Sequence, residues 1–404
     1  MIHSIETYRK KRMQIVEPFI ERLELLDGSI FVCIPAINEY PLILKTIESL
    51  EKAEAFYKAR RKAENLEPKK ICYVINVNNR ESHSDEVKHN NQQLLETVRA
   101  YDQSRFRAID ACSDGRTMGE KDGAGLARKI ALDFAYLSSG GTSDALLCCM
   151  DSDTLVDEDY FCAIDDAFFG GAISGGASPS KKKPCAGVTG FSHRLDGTAQ
   201  ENSIIVEYEA YLKNHAEKLK AAKSPWFYVA LGPTLICTAE TYAACGGMNR
   251  HVAGEDFYYL QALLKSTNEK TFIEIPTEVH PSARVSWRVP FGTGAAISGT
   301  INGTYKIKDF SDEAFKVLAD FIALAEELSA KAVEEGQPLS DEFLVRAAEI
   351  SPVLADFLKA EKFGLIWQNL FSQNRRSAKT LVCAFHCWFD GLKTIRLFHA
   401  LEKD

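Results

Sequence analysis

The sequence predicts an α/β protein: a mostly parallel, Rossmann-like sheet flanked by helices, with an all-helical appendage at its C-terminal end. Three observations predict it. From residue 29 to 160, short β-rich apolar runs alternate with segments of helical period, as βαβ units require. The run Ala145 to Met150 is apolar without interruption, as suits a parallel strand buried on both faces. After about residue 305 every segment reads as an amphipathic helix.

The elements follow in order. Residues 5 to 26 have helical spacing with a break expected at Pro18. Ser29 to Ile34 is a first strand, and Pro41 to Ala55 a helix; the charged stretch 58 to 70 reads as a loop or a fraying helix end. Ile71 to Val77 is a second strand, 85 to 100 a helix, Phe106 to Ile109 a short strand and Gly123 to Leu137 a helix carrying Ala127-Arg128-Lys129. The central strand then stops at Asp151-Ser152-Asp153. Residues 170 to 184 are rich in Gly, Ser and Lys and read as a loop; Gly187 to Ser192 and Ile273 to Val279 are further strands, with a helix over 203 to 223 between them. Ser311 and Ser340 each precede acidic residues and an apolar-periodic run, as helix N-caps do. The expected division is an N-terminal helix over 1–28, an α/β domain over 29–304 and a helical region over 305–404.

Composition narrows the function classes. Hydrophobic content of 46% and charged content of 26% are those of a soluble globular chain. A net charge of −8 argues against general nucleic-acid binding. No stretch approaches the ~18 apolar residues of a membrane span, and the N-terminus lacks the apolar core of a signal peptide. Eleven scattered cysteines without paired zinc spacing point to a reducing, cytoplasmic setting. Cys383 and Cys387, with His386 between them, are either half a metal site or small apolar packing residues.

Open α/β sheets bind ligands at the carboxyl edge of their strands. Asp151 and Asp153 stand at such an edge as hard oxygen donors for Mg²⁺ or Mn²⁺. Alone, the pair reads rather as an acidic turn capping the next helix. Its setting carries more: Ile34-Pro35-Ala36-Ile37-Asn38-Glu39 closes strand one, Asn79-Arg80-Glu81-Ser82 follows strand two, Met150-Asp151-Ser152-Asp153 closes the central strand, and Gly246-Gly247-Met248 with Gly254-Glu255-Asp256-Phe257 opens a later helix. This ordered set resembles a family 2-type glycosyltransferase of GT-A fold over roughly residues 29 to 290.

The resemblance implies roles. Pro35, Ala36, Asn38, Glu39 and Asn79 would border the nucleoside of a nucleotide-sugar donor. Asp151 and Asp153 would bind a divalent metal, Mn²⁺ or Mg²⁺, and the donor diphosphate, with His280 as a third metal ligand. Asp256 would be the general base of an inverting transfer, and Glu255 its acidic neighbour. From their placement, Arg128 and Lys129, on the helix before the central strand, are either diphosphate contacts or solvated, and Arg284 and Arg288, four residues apart after His280, are candidates for the diphosphate or for an anionic acceptor group such as a carboxylate or phosphate. Trp226 and Trp287 are either sugar-stacking or packing residues. The Asn-Asn-Arg-Glu-Ser segment departs from the Asp-Asp-Gly-Ser common in the family, so the base stays open. The Gln-x-x-Arg-Trp motif of processive synthases is missing, which implies a single, non-processive transfer.

The acceptor is open: a small polar molecule, a glycan, or a lipid-linked group met at a membrane surface. The last idea rests on Arg375, Arg376 and Lys379 next to Phe385, Trp388, Phe389 and Leu392, a pattern that equally describes a core-packing helix. A homo-oligomer is compatible with the sequence. Alternatives to an inverting transferase are a retaining GT-A enzyme making a small glycoside on a glycerate-like acid, a sugar nucleotidyltransferase, and a non-catalytic scaffold of the same fold.

Overall fold

The computed structural model describes residues 4–170, 183–267, 271–284 and 292–403. They divide into two compact units, Met1–Glu209 with Ala230–Lys306 and Ala210–Val229 with Ile307–Asp404. The first unit begins with α1 (Ile5–Arg12) and α2 (Glu17–Ile20). The helix expected over 5 to 26 is therefore broken before Pro18, which sits in the first turn of α2, where its missing N–H leaves no bond unmade. There follow β1 (Ile30–Ala36), α3 (Ile43–Ala63), β2 (Ile71–Asn78), α4 (Asp85–Arg99), β3 (Phe106–Ala111), α5 (Ala124–Ser138), β4 (Leu146–Cys149) and β5 (Leu155–Val156). Then come α6 (Tyr160–Phe168), β6 (Ala186–Phe191), α7 (Ala199–Ala221, its residues from Ala210 on counted with the second unit), β7 (Leu235–Thr238), α8 (Ala239–Ala244), α9 (Glu255–Ser266), β8 (Phe272–His280) and α10 (Thr293–Ile301).

The strands form one mixed sheet in the order β3-β2-β1-β4-β7-β6-β8-β5. The pairs β1–β2, β2–β3, β1–β4 and β6–β8 are parallel; β4–β7, β6–β7 and β5–β8 are antiparallel. Every residue of β2 and β4 is buried, which explains the apolar runs Ile71 to Ile75 and Leu146 to Cys149. The strand order reverses around β1, whose neighbours are β2 and β4, so the crevice of an α/β sheet opens at their carboxyl ends. Cys33 is in register with Cys149, and Met150 N–H donates to Cys33 carbonyl oxygen at 3.1 Å. This register brings Pro35-Ala36 beside Asp151-Ser152-Asp153. The helix α3 runs on to Ala63, so the first half of the charged stretch 58 to 70 is a helix end, the second of the two readings given it. Its basic end is held by Arg60 on Asp166 and Arg61 on Asp165, pairings that no local pattern announces.

The second unit joins residues 210–229 to α11 (Asp312–Glu335), α12 (Ser340–Ile350), α13 (Pro352–Ala360), α14 (Phe363–Asn374), α15 (Ala378–Trp388) and α16 (Gly391–Leu401). Ser311 caps α11 as expected, its hydroxyl accepting from Ala314 N–H at 3.2 Å. Ser340 does not cap α12; it is the first helical residue, behind Leu339 at φ 53°. The core of this unit is aromatic: Phe321, Phe343, Phe363, Trp367 and Phe385 are fully buried, and the Trp367 indole N–H donates to Pro338 carbonyl oxygen. Trp226 packs here too, donating to Phe389 carbonyl oxygen at 2.9 Å. Phe385 and Phe389 are buried in this core, so for them the packing reading holds. Cys383 and Cys387 are exposed, against the packing reading of that pair. No helix among the described residues is long and apolar enough to cross a membrane. Trp367→Ala is expected to cost about 3–5 kcal/mol through the cavity it leaves. A denaturation midpoint within error of wild type would contradict that core assignment.

Candidate active site

Three backbone segments meet at the carboxyl edge of the central strands. The loop after β1 is fixed by amide side chains from α4. Asn90 pairs with Tyr40 as a strand would, its Nδ2 donating to the carbonyl at 2.7 Å and its Oδ1 accepting the N–H at 3.0 Å. Asn91 Oδ1 accepts the Asn38 N–H at 2.9 Å, and Asn38 takes the left-handed φ of 55° that Asn tolerates. The segment after β4 is pinned from two sides, by the Thr46 hydroxyl on Ser152 carbonyl oxygen at 3.0 Å and by Arg194 Nη1 on Asp153 carbonyl oxygen at 2.9 Å. The third segment is the start of α9, where Gly254 (φ 69°) turns the chain so that Glu255 and Asp256 occupy the first turn.

Two arginines tie these segments together. Arg128 of α5 donates through Nη2 to Asp151 at 2.5 Å and through Nε to Glu255 at 2.8 Å. Burial opposes its charge, but Asp151 and Glu255 outweigh that and hold its pKa well above the ordinary value. Arg284, just after β8, donates through Nη2 to both oxygens of the buried Glu39 and to Asp153 at 3.0 Å. Asp151 is raised, by burial first, against the pull of Arg128. The Asp256 carboxyl is pushed up to about 7: burial and the neighbouring Glu255 carboxylate oppose ionisation, against Arg128 and the Phe257 N–H. Among the described residues the cluster sets five carboxylates, those of Glu39, Asp151, Asp153, Glu255 and Asp256, against two guanidiniums.

Several residues named from sequence lie elsewhere. Lys129 is 4% exposed and turned from the cluster: its ammonium pairs with Asp133 at 2.8 Å and donates to the Tyr8 hydroxyl at 3.2 Å. Neighbours on a helix point about 100° apart, so Lys129 faces away once Arg128 faces the cluster. The Tyr8 and Tyr242 hydroxyls donate to the same Asp133 at 2.8 and 2.7 Å, which makes this a buried network joining α1, α5 and α8. Asn79 is fully buried, accepting from Asn91 at 2.9 Å and donating to Arg80 carbonyl oxygen at 3.1 Å, so its amide supports the loops from behind. His280 Nε2 lies 2.9 Å from Asp157, and its Nδ1 is 2.9 Å from the Ser192 hydroxyl. Antiparallel pairing of Leu155 with His280 carries the imidazole to Asp157, on the same strand pair, and the ring bonds there instead of joining Asp151 and Asp153. Among the described residues no three His, Cys, Asp or Glu side chains form a group that could hold a metal ion. Arg288 and Trp287 lie outside the described residues.

The donor chemistry of Asp151 and Asp153 nevertheless suits a hard divalent cation. A cluster with three carboxylates in excess repels an anionic diphosphate unless positive charge enters with it. What sequence reasoning missed is the bracing: Asn90, Asn91, Thr46 and Arg194 behind the loops, and Gly232 beside Arg128. An amide pair five and six residues after the start of a helix carries no signal of the loop it will hold.

No family model matches the sequence, and no curated protein matches it. Among solved structures, the chain is similar to S. aureus TarS 1-349 in complex with UDP-GlcNAc, at 12% identity and a TM-score of 0.42 over 88% of this chain and 90% of that one. TarS 1-349 by itself gives 13% and 0.36 over 88% and 90%. A longer S. aureus TarS structure gives 13% and 0.36, over 87% of this chain and 54% of that one.

Proposed function

We propose that this protein is a glycosyltransferase that moves one sugar from a nucleotide-sugar to an acceptor hydroxyl, with inversion and without processive extension. The observation that carries the reading is Asp256: a carboxyl pushed up to about 7, in the first turn of α9, beside the Asp151–Arg128–Glu255 bridge at the carboxyl edge of the sheet. A base poised near neutral pH is what removal of an acceptor proton requires. The loop Pro35 to Glu39 borders the nucleoside, and Arg128 and Arg284 face the diphosphate. Asp256 takes the acceptor proton as the acceptor oxygen bonds to the anomeric carbon and the bond to the diphosphate oxygen breaks. A single displacement of this kind inverts the anomeric centre.

Asp151 and Asp153 would hold a Mn²⁺ or Mg²⁺, which when bound neutralises charge on the departing nucleoside diphosphate. His280 is outside that set. His280→Ala is therefore expected to leave the metal concentration for half-maximal activity unchanged; an increase of several-fold in a metal titration would return it to the ligands. The test of the donor class is a thermal-shift screen of nucleoside diphosphates and nucleotide-sugars, with and without Mn²⁺. A ligand of the native state raises the melting temperature by mass action. A metal-dependent rise with at least one nucleotide supports the reading, and a flat response to all of them contradicts it.

A further inference from the structure

Gly232 opens the 3₁₀ turn Gly232–Thr234 that leads into β7. A Cβ built on it would overlap Arg128 Nη2 and lie 2.8 Å from Cζ and 3.3 Å from Nη1. These are its three nearest atoms, so a side chain here meets the guanidinium before anything else. Gly232 does not have a positive φ, so its backbone conformation does not demand glycine. The space it leaves is filled by the Arg128 head group.

Arg128 uses Nε on Glu255 and Nη2 on Asp151, and its Nη1 makes no hydrogen bond although the residue is only 8% exposed. A buried N–H without an acceptor is unfavourable, and one that a native structure retains calls for an explanation, a catalytic or ligand-binding role among them. Planar guanidinium with two corners braced is a fixed donor fork, and its third corner is the one suited to an anionic oxygen.

We propose that Gly232 is a positioning residue: its missing side chain keeps open the space in which Arg128, braced by Asp151 and Glu255, presents Nη1 to an anionic oxygen of the donor. The kinetic consequence rests on the glycosyl-transfer reading; the structural consequence does not. A methyl at 232 meets the far end of a flexible side chain, not backbone, so the fold tolerates it while the guanidinium is pushed off its two carboxylates. An arginine displaced from both leaves Asp151 and Glu255 half-buried or buried without their partner.

The test is a double-mutant cycle with Gly232→Ala, Arg128→Ala and the double variant, read as melting temperature and as kcat and KM. Gly232→Ala alone is expected to lower the melting temperature and to lower kcat at least tenfold, with acceptor KM little changed. In the Arg128→Ala background it is expected to do neither. Equal losses in both backgrounds would overturn the proposal, because Gly232 would then serve the turn itself. Should Gly232→Ala fail to fold alone, recovery in the double variant supports the proposal and failure in both backgrounds overturns it. If the wild type transfers sugar from no nucleotide-sugar, the transfer reading fails, while the melting-temperature cycle still decides whether Gly232 acts through Arg128.

Discussion

Asp256→Asn is expected to lower kcat by about 10²–10⁴-fold while leaving donor affinity close to wild type. The substitution keeps size and hydrogen-bonding shape but removes the ability to take a proton. Donor affinity should survive because Arg128 and Arg284 are bound to Asp151, Glu255, Glu39 and Asp153, and none of those ion pairs uses Asp256. The pH profile supplies a second check. The base acts in its ionised form, and its pKa is raised to about 7, so kcat/KM for the acceptor should climb with pH and level off above about 7. A carboxylate at its ordinary value would give a flat profile there. Loss of donor affinity with kcat intact would instead make Asp256 a donor residue.

Asp151→Ala is expected to reduce transfer by about 10²–10³-fold, the scale of losing one preorganised charge contact at a leaving group. Two effects act together. One oxygen donor for the cation is lost, and Arg128 keeps only Glu255 as a partner, so its guanidinium is free to swing. Asp153→Ala should behave alike through Arg284, which would retain Glu39 alone of its two partners named here. Folding should persist, because both aspartates stand beyond the end of β4 and the Ser152 backbone is held independently by Thr46. Activity near wild type in both variants, at saturating donor without added metal, would remove the Asp-x-Asp pair from the site.

The strands were legible where burial alone determines sequence. The runs at β1, at β4 and at β2 as far as Ile75 are apolar because both faces of the sheet are covered. The two-residue strand β5 left no trace, since it is too short to show a period. The end of α3 was left between a loop and a fraying helix end, because the partners of Arg60 and Arg61 on α6 lie about a hundred residues away. At the site, Asp151, Asp153, Glu255, Asp256, Arg128, Glu39 and Arg284 were all named from sequence, and the fold brings them together. Lys129 was not separable from Arg128 by chemistry, though its i,i+4 spacing to Asp133 was in the sequence. His280 needed the β5–β8 register, which only the tertiary structure supplies. Gly232 was invisible, because a glycine whose role is to leave space has no side-chain signature.

The central claim is that the Asp151–Arg128–Glu255–Asp256 cluster transfers sugar from a nucleotide-sugar. Its most direct test is release of nucleoside diphosphate from a panel of nucleotide-sugars with Mn²⁺, comparing wild type with Asp256→Asn. The account predicts that the wild type releases diphosphate from at least one donor, faster with acceptor present, and that Asp256→Asn still binds this donor but barely turns it over. Equal release by the two proteins, or none from any donor that binds, would contradict it.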